Sequence, residues 1–121
     1  MDSPARLLLI YTSSSEAWGG LPLAEALVRK LCALGIEGAT AHSASMGYGK
    51  HKRVRQHKAT GDDEHRPVMV TAADTEAKIL EAIPHLRALA PGNAMLILDA
   101  EMIPPRGGAE RLTMKRELAW L

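Results

Sequence analysis

Three short apolar runs constrain this chain more than any other feature. LLLI (Leu7–Ile10), VMV (Val68–Val70) and MLIL (Met95–Leu98) are each too short for a helix and do not alternate with polar residues. A sheet strand covered on one face alternates apolar and polar residues; one that is apolar on both sides calls for cover on both. Two longer stretches carry the helical period. In LPLAEALVRKLCALG (Leu21–Gly35), Leu23, Leu27, Leu31 and Leu34 recur at spacings of four and three, and Val28 widens the stripe. Pro22 suits the first turn and Gly35 the C-terminal cap. In the second stretch Ile79, Leu80, Ile83, Leu86 and Leu89 form the stripe, with Asp74 placed to cap it. Pro84 falls inside that stripe and should kink or loosen the helix. GATAHSASM (Gly38–Met46) reads as one more strand, after the first helix.

The order is β-α-β-β-α-β, which is the ferredoxin-like arrangement: an α/β (α+β) fold with an antiparallel sheet and two helices on one face. It implies one domain over residues 1–106 and a tail over 107–121. Two helices on one side leave the other sheet face bare although its strands are apolar on both. A second copy of the chain closes that gap most simply, so a homo-oligomer is expected. The rival is the tail, ERLTMKRELAWL, which could form a short helix with Met114, Leu118 and Leu121 on one side and lie over the face itself.

The long connection between the second and third strands holds the chain's strangest stretch, MGYGKHKRVRQHK (Met46–Lys58). It gathers five Lys and Arg and two His with no acid, in a chain of formal net charge +1. The loop spans residues 47–65, and a loop of this length in a compact domain is functional or disordered. Gly47 and Gly49 allow positive φ and a close approach of backbone N–H groups to an anion. No Gly-Lys-Ser/Thr follows, so this is no Walker motif. The basic run Lys50 to Lys58, with Lys52, Arg53, Arg55 and Lys58 as its docking residues, reads as a partner-docking loop with its root at an anion site. A merely solvated charge run is the plain alternative. Nucleic acid is disfavoured: net charge is near zero, stacking aromatics are lacking beyond Tyr48, and DDE follows closely.

Other chemistry finds less support. His42, His51, His57, His65 and His85 show no fixed ligand spacing, and Cys32 is the only cysteine, so no metal site is assigned. Ser13, Ser14 and Ser15 lack a neighbouring histidine and read as a turn. Cys32, among leucines, reads as an inert core thiol. Asp99 and Glu101 lie two apart on one strand, where a solvent or subunit contact is commoner than acid–base work. Trp18 and Trp120 suit interface anchors. No catalytic residue is assigned. The apolar N-terminal run is too short for a signal core or membrane span, and the cysteine usage fits a reducing, cytoplasmic setting.

MGYGKHKRV after a strand, then a long loop and PVMV, resembles the trimeric PII signalling proteins, in which a glycine-aromatic-glycine-basic motif opens the T-loop. PGNAMLILDAEMIPPRGGAE resembles their carboxyl-terminal strand and trailing Arg/Gly segment. IYTSSSEAWGGLPLAEALV brings the chain closer still to the PII-like domain of unknown function 190. The resemblance covers about residues 6–106. It implies a homotrimer whose inter-subunit clefts hold an adenine nucleotide (ATP, ADP, AMP or a cyclic form), with magnesium as a companion. By motif match Gly47, Tyr48, Gly49, Lys50 and His51 sit at the loop base, and Gly92, Asn93 and Arg106 come from the opposite side. PII proteins carry glutamine where His51 aligns and lysine where Asn93 aligns. The loop tip engages a partner protein, often a membrane transporter. The expected function is therefore signalling by a bound effector, without chemistry. The alternatives are a metal- or anion-binding stress protein of the same fold and slow nucleotide hydrolysis at the same clefts.

Overall fold

The computed structural model describes residues 4–49, 52–56 and 65–103; for 55 and 56 it describes the backbone only. The tail, and with it the helix expected there, lies outside the described residues. The chain runs β1 (Ala5–Ser13), β2 (Ala17–Trp18), β3 (Leu21–Pro22), α1 (Leu23–Ala33), β4 (Gly38–Ser43), β5 (Met46–Gly47), β6 (Arg55–Gln56), β7 (Pro67–Thr75), α2 (Glu76–Leu89) and β8 (Met95–Ala100). The main sheet has the order β4-β7-β1-β8 and is antiparallel throughout. This is the ferredoxin-like fold, with both helices on one face.

Strand period and helix period meet in one core. Alternate strand residues Leu8, Ile10, Val70 and Ala72 point to the helices and are buried. They meet Leu23, Leu27 and Leu31 of α1 and Ile79, Ala82 and Leu86 of α2. At the end of α1, Gly35 takes φ +79, a left-handed conformation that glycine adopts without a Cβ penalty.

Several expectations need correction. Leu80 is half exposed and turns outward, because Ala82 rather than Leu80 completes the inward stripe of α2. The α2 cap is Thr75, whose hydroxyl accepts from the Lys78 N–H; Asp74 is a strand residue instead. Asp74 is buried and accepts from the backbone N–H groups of Glu37 (2.8 Å) and Thr75 (2.6 Å), so it ties the end of α1 to the end of β7. Pro84 sits on the exposed side of α2, and the helix continues past it to Leu89. Cys32 is exposed, not a core thiol: it follows the buried Leu31 and so points off the inward stripe. The strand expected over 38–46 divides into β4 and the separate β5.

The other sheet face is open. The register sets Leu7, Leu9 and Tyr11 level with Ala73, Thr71 and Met69 of β7, and Leu7 and Leu9 level with Leu98 and Leu96 of β8. Leu96 and Leu98 keep 49% and 44% of their surface exposed and Tyr11 keeps 44%. The apolar runs that refused to alternate thus end with one side in the core and the other facing outward.

Candidate functional site

The glycine-rich loop root, the β1–β2 loop and the start of β8 all lie at one end of the sheet. β5 and β6 pair as a short ribbon, Gly47 opposite Arg55, so the long loop begins as paired strands rather than free chain. Gly47 lies against the first residue of β7: a Cβ on it would stand 3.3 Å from Pro67 Cγ. The Ala44 N–H donates to the Pro67 carbonyl at 2.9 Å and fastens the same corner. Here the expected backbone chemistry is corrected. Neither Gly47 nor Gly49 takes positive φ; Lys52 does, at φ +57. Its N–H closes a tight turn onto the Gly49 carbonyl at 2.9 Å. Its ammonium lies 6.0 Å from the centroid of the Tyr48 ring, at the edge of cation–π range. Tyr48 and Val54 are each 65% exposed, and Arg53 is exposed. Lys50, His51, Lys58 and Arg106 lie outside the described residues, and of Arg55 only the backbone is described.

Across the sheet end, the β1–β2 loop is held by a hub that the sequence alone did not single out. Glu16 accepts from the Thr12 hydroxyl at 3.1 Å, the Ser13 hydroxyl at 3.3 Å and the Asn93 side-chain amide at 3.0 Å. Its backbone carbonyl accepts from the Leu23 N–H at 2.8 Å, which binds the hub to the first turn of α1. Asn93 also donates to the Tyr11 carbonyl at 2.9 Å. The run Thr-Ser-Ser-Ser-Glu directly after a strand was the available signal: short hydroxyl side chains there favour local turns and reach a nearby carboxylate.

The same loop reaches the far root of the long loop. Ser15 Oγ lies 2.9 Å from His65 Nδ1 and 3.1 Å from Ser13 Oγ. The Ser14 hydroxyl accepts from the Arg66 N–H at 3.0 Å, and the Ser14 N–H donates to the Arg66 carbonyl at 2.8 Å. The serines do therefore have a histidine neighbour, contrary to expectation. The chain Glu16–Ser13–Ser15–His65 places the carboxylate on the serine side, however, and not on the imidazole, so it is not the order that activates a serine nucleophile.

Gly92 is exposed and Asn93 half-buried. β7 and β1 stand between them and Gly47, so within one chain the two halves of the expected site share a sheet end without touching. Trp18 is 49% exposed on the β2–β3 ribbon, whose turn residues Gly19 and Gly20 take φ +58 and +84, as a tight hairpin requires. Asp99 pairs with Arg6, which also binds Glu76 at 2.6 Å, and this ion triad accounts for the strand carboxylate. His42 lies 3.5 Å from the Thr71 hydroxyl, and His85 lines a groove of about 290 Å³ between the helices with Lys78 and Glu81. Among the described residues, no three His, Cys, Asp or Glu side chains converge as metal ligands, and no helix is long and apolar enough to cross a membrane.

Known proteins share this architecture. The fold matches CPII, a nitrogen regulatory PII-like protein from Thiomonas intermedia K12 solved with ADP, AMP and bicarbonate, at a TM-score of 0.59 and 16% identity over 84% of this chain and 96% of that one. It matches a candidate PII-like signalling protein of Thermus thermophilus at a TM-score of 0.58 and 23% identity, over 89% and 97%. It matches the divalent ion tolerance protein CutA1 of Ehrlichia chaffeensis at 0.59 and 14%, over 87% and 89%. At such identities the likeness is one of fold. Sequence is more specific. The chain is 35% identical over 99 residues to a UPF0166 protein of Aquifex aeolicus (strain VF5), covering 81% of this chain and 92% of that protein. Residues 5–102 match the family DUF190, described as an uncharacterized ACR. With its PII-like fold and its glycine-tyrosine-glycine loop root, this chain belongs to the DUF190 (UPF0166) family.

Proposed function

We propose that this protein is a PII-like regulator that binds a small anionic effector, an adenine nucleotide, in clefts between the subunits of a homotrimer. Effector binding reshapes the long loop after β5, and the loop then controls a partner protein. A cytoplasmic setting belongs to this reading, and no chemical step is needed.

The observation that carries it is the loop root. Gly47 is seated on Pro67, Tyr48 stands exposed, and a turn brings Lys52 back over its ring. A flat π-face and ammonium groups on an anchored corner suit a base and a phosphate. The bare apolar sheet face supports the assembly, because burying it removes Leu7, Leu9, Leu96 and Leu98 from water at about 25 cal/mol per Å². The ligands of CPII favour nucleotide and bicarbonate as the first probes.

The test is calorimetric titration with ATP, ADP, AMP, cyclic AMP and cyclic di-AMP, with and without magnesium and bicarbonate. The expected result is one site per chain for at least one nucleotide, weakened at low salt by Lys50→Ala. A flat response to the whole panel removes the reading. A second reading, an ion-binding stress protein, draws on the likeness to CutA1. Titration with divalent cations that binds where every nucleotide fails would select it.

A further inference from the structure

The serine run after β1 is a hydrogen-bond relay with a direction. Ser13 Oγ lies 3.3 Å from Glu16 Oε2, Ser15 Oγ lies 3.1 Å from Ser13 Oγ, and His65 Nδ1 lies 2.9 Å from Ser15 Oγ. An ionised carboxylate has no proton to give, so Ser13 must donate to Glu16. A hydroxyl has a single proton. Ser13, with its own turned to Glu16, can only accept from Ser15. Ser15, with its own turned to Ser13, can only accept from His65. All three contacts are hydrogen bonds in that one arrangement, and it requires a proton on His65 Nδ1. Ser15 therefore receives a proton contact from the ring and gives none to it.

The carboxylate at the head of the relay is itself held in place. Its other oxygen, Oε1, accepts from the Asn93 amide nitrogen at 3.0 Å, and the same nitrogen donates to the Tyr11 carbonyl at 2.9 Å. Both partners are acceptors, so the Asn93 nitrogen can face only that way. At the far end the chain returning from the long loop is fastened by its backbone. The Arg66 N–H donates to the Ser14 hydroxyl, and the Arg66 carbonyl accepts from the Ser14 N–H. His65 is exposed, and its second nitrogen, Nε2, has no partner among the described residues. In a neutral imidazole one nitrogen is the donor and the other the acceptor. A proton fixed on Nδ1 leaves a lone pair on Nε2.

We infer that Glu16, acting through Ser13 and Ser15, holds His65 as the Nδ1–H tautomer and so makes its Nε2 a hydrogen-bond acceptor at the root of the long loop. Glu16 and the two serines are positioning residues, and His65 is the contact. A group that docks on the neutral ring must bring an N–H or O–H, as a hydroxyl, an amide or an ammonium does. A carbonyl or carboxylate would meet a lone pair. The inference adds a contact of defined polarity to the loop and does not depend on which effector binds.

Glu16→Gln tests it, because glutamine keeps the shape and reverses the relay. The Asn93 nitrogen, fixed by the Tyr11 carbonyl, calls for the oxygen of the new amide on its side. The new NH2 then faces Thr12 and Ser13 and donates to both hydroxyls. Ser13 becomes the acceptor there, donates to Ser15, and Ser15 donates to His65 Nδ1. The ring proton should move to Nε2. The measurement is the ring nitrogen chemical shifts of His65 in the isotope-labelled full chain, assigned by comparison with His65→Gln, with melting checked for each variant. It is made at about pH 8.5, where an ordinary histidine is neutral. The parent should show a roughly fivefold excess of the Nδ1–H form, the scale of one net hydrogen bond. Glu16→Gln should invert that excess. Ser15→Ala should abolish it, and Glu16→Gln added to Ser15→Ala should then leave the ring unchanged. A parent dominated by the Nε2–H form overturns the inference. So does a ratio that Glu16→Gln leaves as it was, or one that still responds to Glu16→Gln without Ser15. If Glu16→Gln fails to fold, the parent and Ser15→Ala spectra decide by the same criteria. None of these outcomes bears on the nucleotide titration, so the two readings fail separately.

Discussion

Glu16 joins residues from three parts of the chain, so its loss should be felt well beyond its own loop. Glu16→Ala leaves the buried Thr12 hydroxyl, the Ser13 hydroxyl and an Asn93 N–H without their acceptor. About 1–3 kcal/mol of stability should go with it, measured by urea denaturation. A loss no larger than that of an exposed alanine substitution elsewhere would mean that solvent already serves these donors. At Gly35 the controlling quantity is backbone conformation. Gly35→Ala puts a Cβ on a residue at φ +79 and should cost about 1 kcal/mol. Gly35 was legible as a helix stop because its chemistry is local. Gly47 and Gly49 were legible as special but not for the right reason. Gly47 is small enough for the loop root to lie on Pro67, and positive φ passed to Lys52, a position that only the closed turn defines. The roles of Glu16 and Asn93 could not be read in advance, since they lie 77 positions apart and meet only when β8 is laid beside β1.

The helices divide along the same line between local signal and contact. The stripe of α1 read correctly because its leucines sit at true helical spacing, and Leu27 and Leu31 end fully buried against the sheet. Leu27→Ala should cost about 2–5 kcal/mol by cavity formation, seen as a lowered denaturation midpoint with unchanged slope. α2 is less regular. Its sequence offers more apolar residues than one face needs, and which of Leu80 and Ala82 turns inward depends on what the sheet presents. Pro84 stands on the outward side, where water can serve the carbonyl it leaves unpaired. Pro84→Ala should therefore stabilise the protein by up to about 3 kcal/mol, the helix-interior cost of proline. A lowered melting temperature would show that the proline ring has a packing role. The cap moved from Asp74 to Thr75 because β7 runs well beyond its apolar run, and Asp74 turned to the Glu37 N–H.

At the scale of the whole molecule the open sheet face decides assembly. The pair Leu96→Asp and Leu98→Asp puts charge onto the β8 side of that face without touching the helix-side core. It should turn an oligomer into monomers by light scattering, with near-native circular dichroism. An unaltered chain that is already monomeric at micromolar concentration would remove both the trimer and the inter-subunit cleft. The sequence alone determined the order of the two helices and the four main-sheet strands, the ferredoxin-like class, the bare face and the unusual loop, but not the two short ribbons β2–β3 and β5–β6. Each follows from local periodicity or from counting helices against strand faces, and neither calculation needs coordinates. The tertiary structure decided which apolar residues stay outward, that Cys32 is exposed, and that the serine loop grips both Glu16 and the far root of the long loop. Those depend on register between strands far apart in sequence. A shift of one residue would turn every side chain to the opposite face, and only the assembled sheet selects among the registers that local patterning permits.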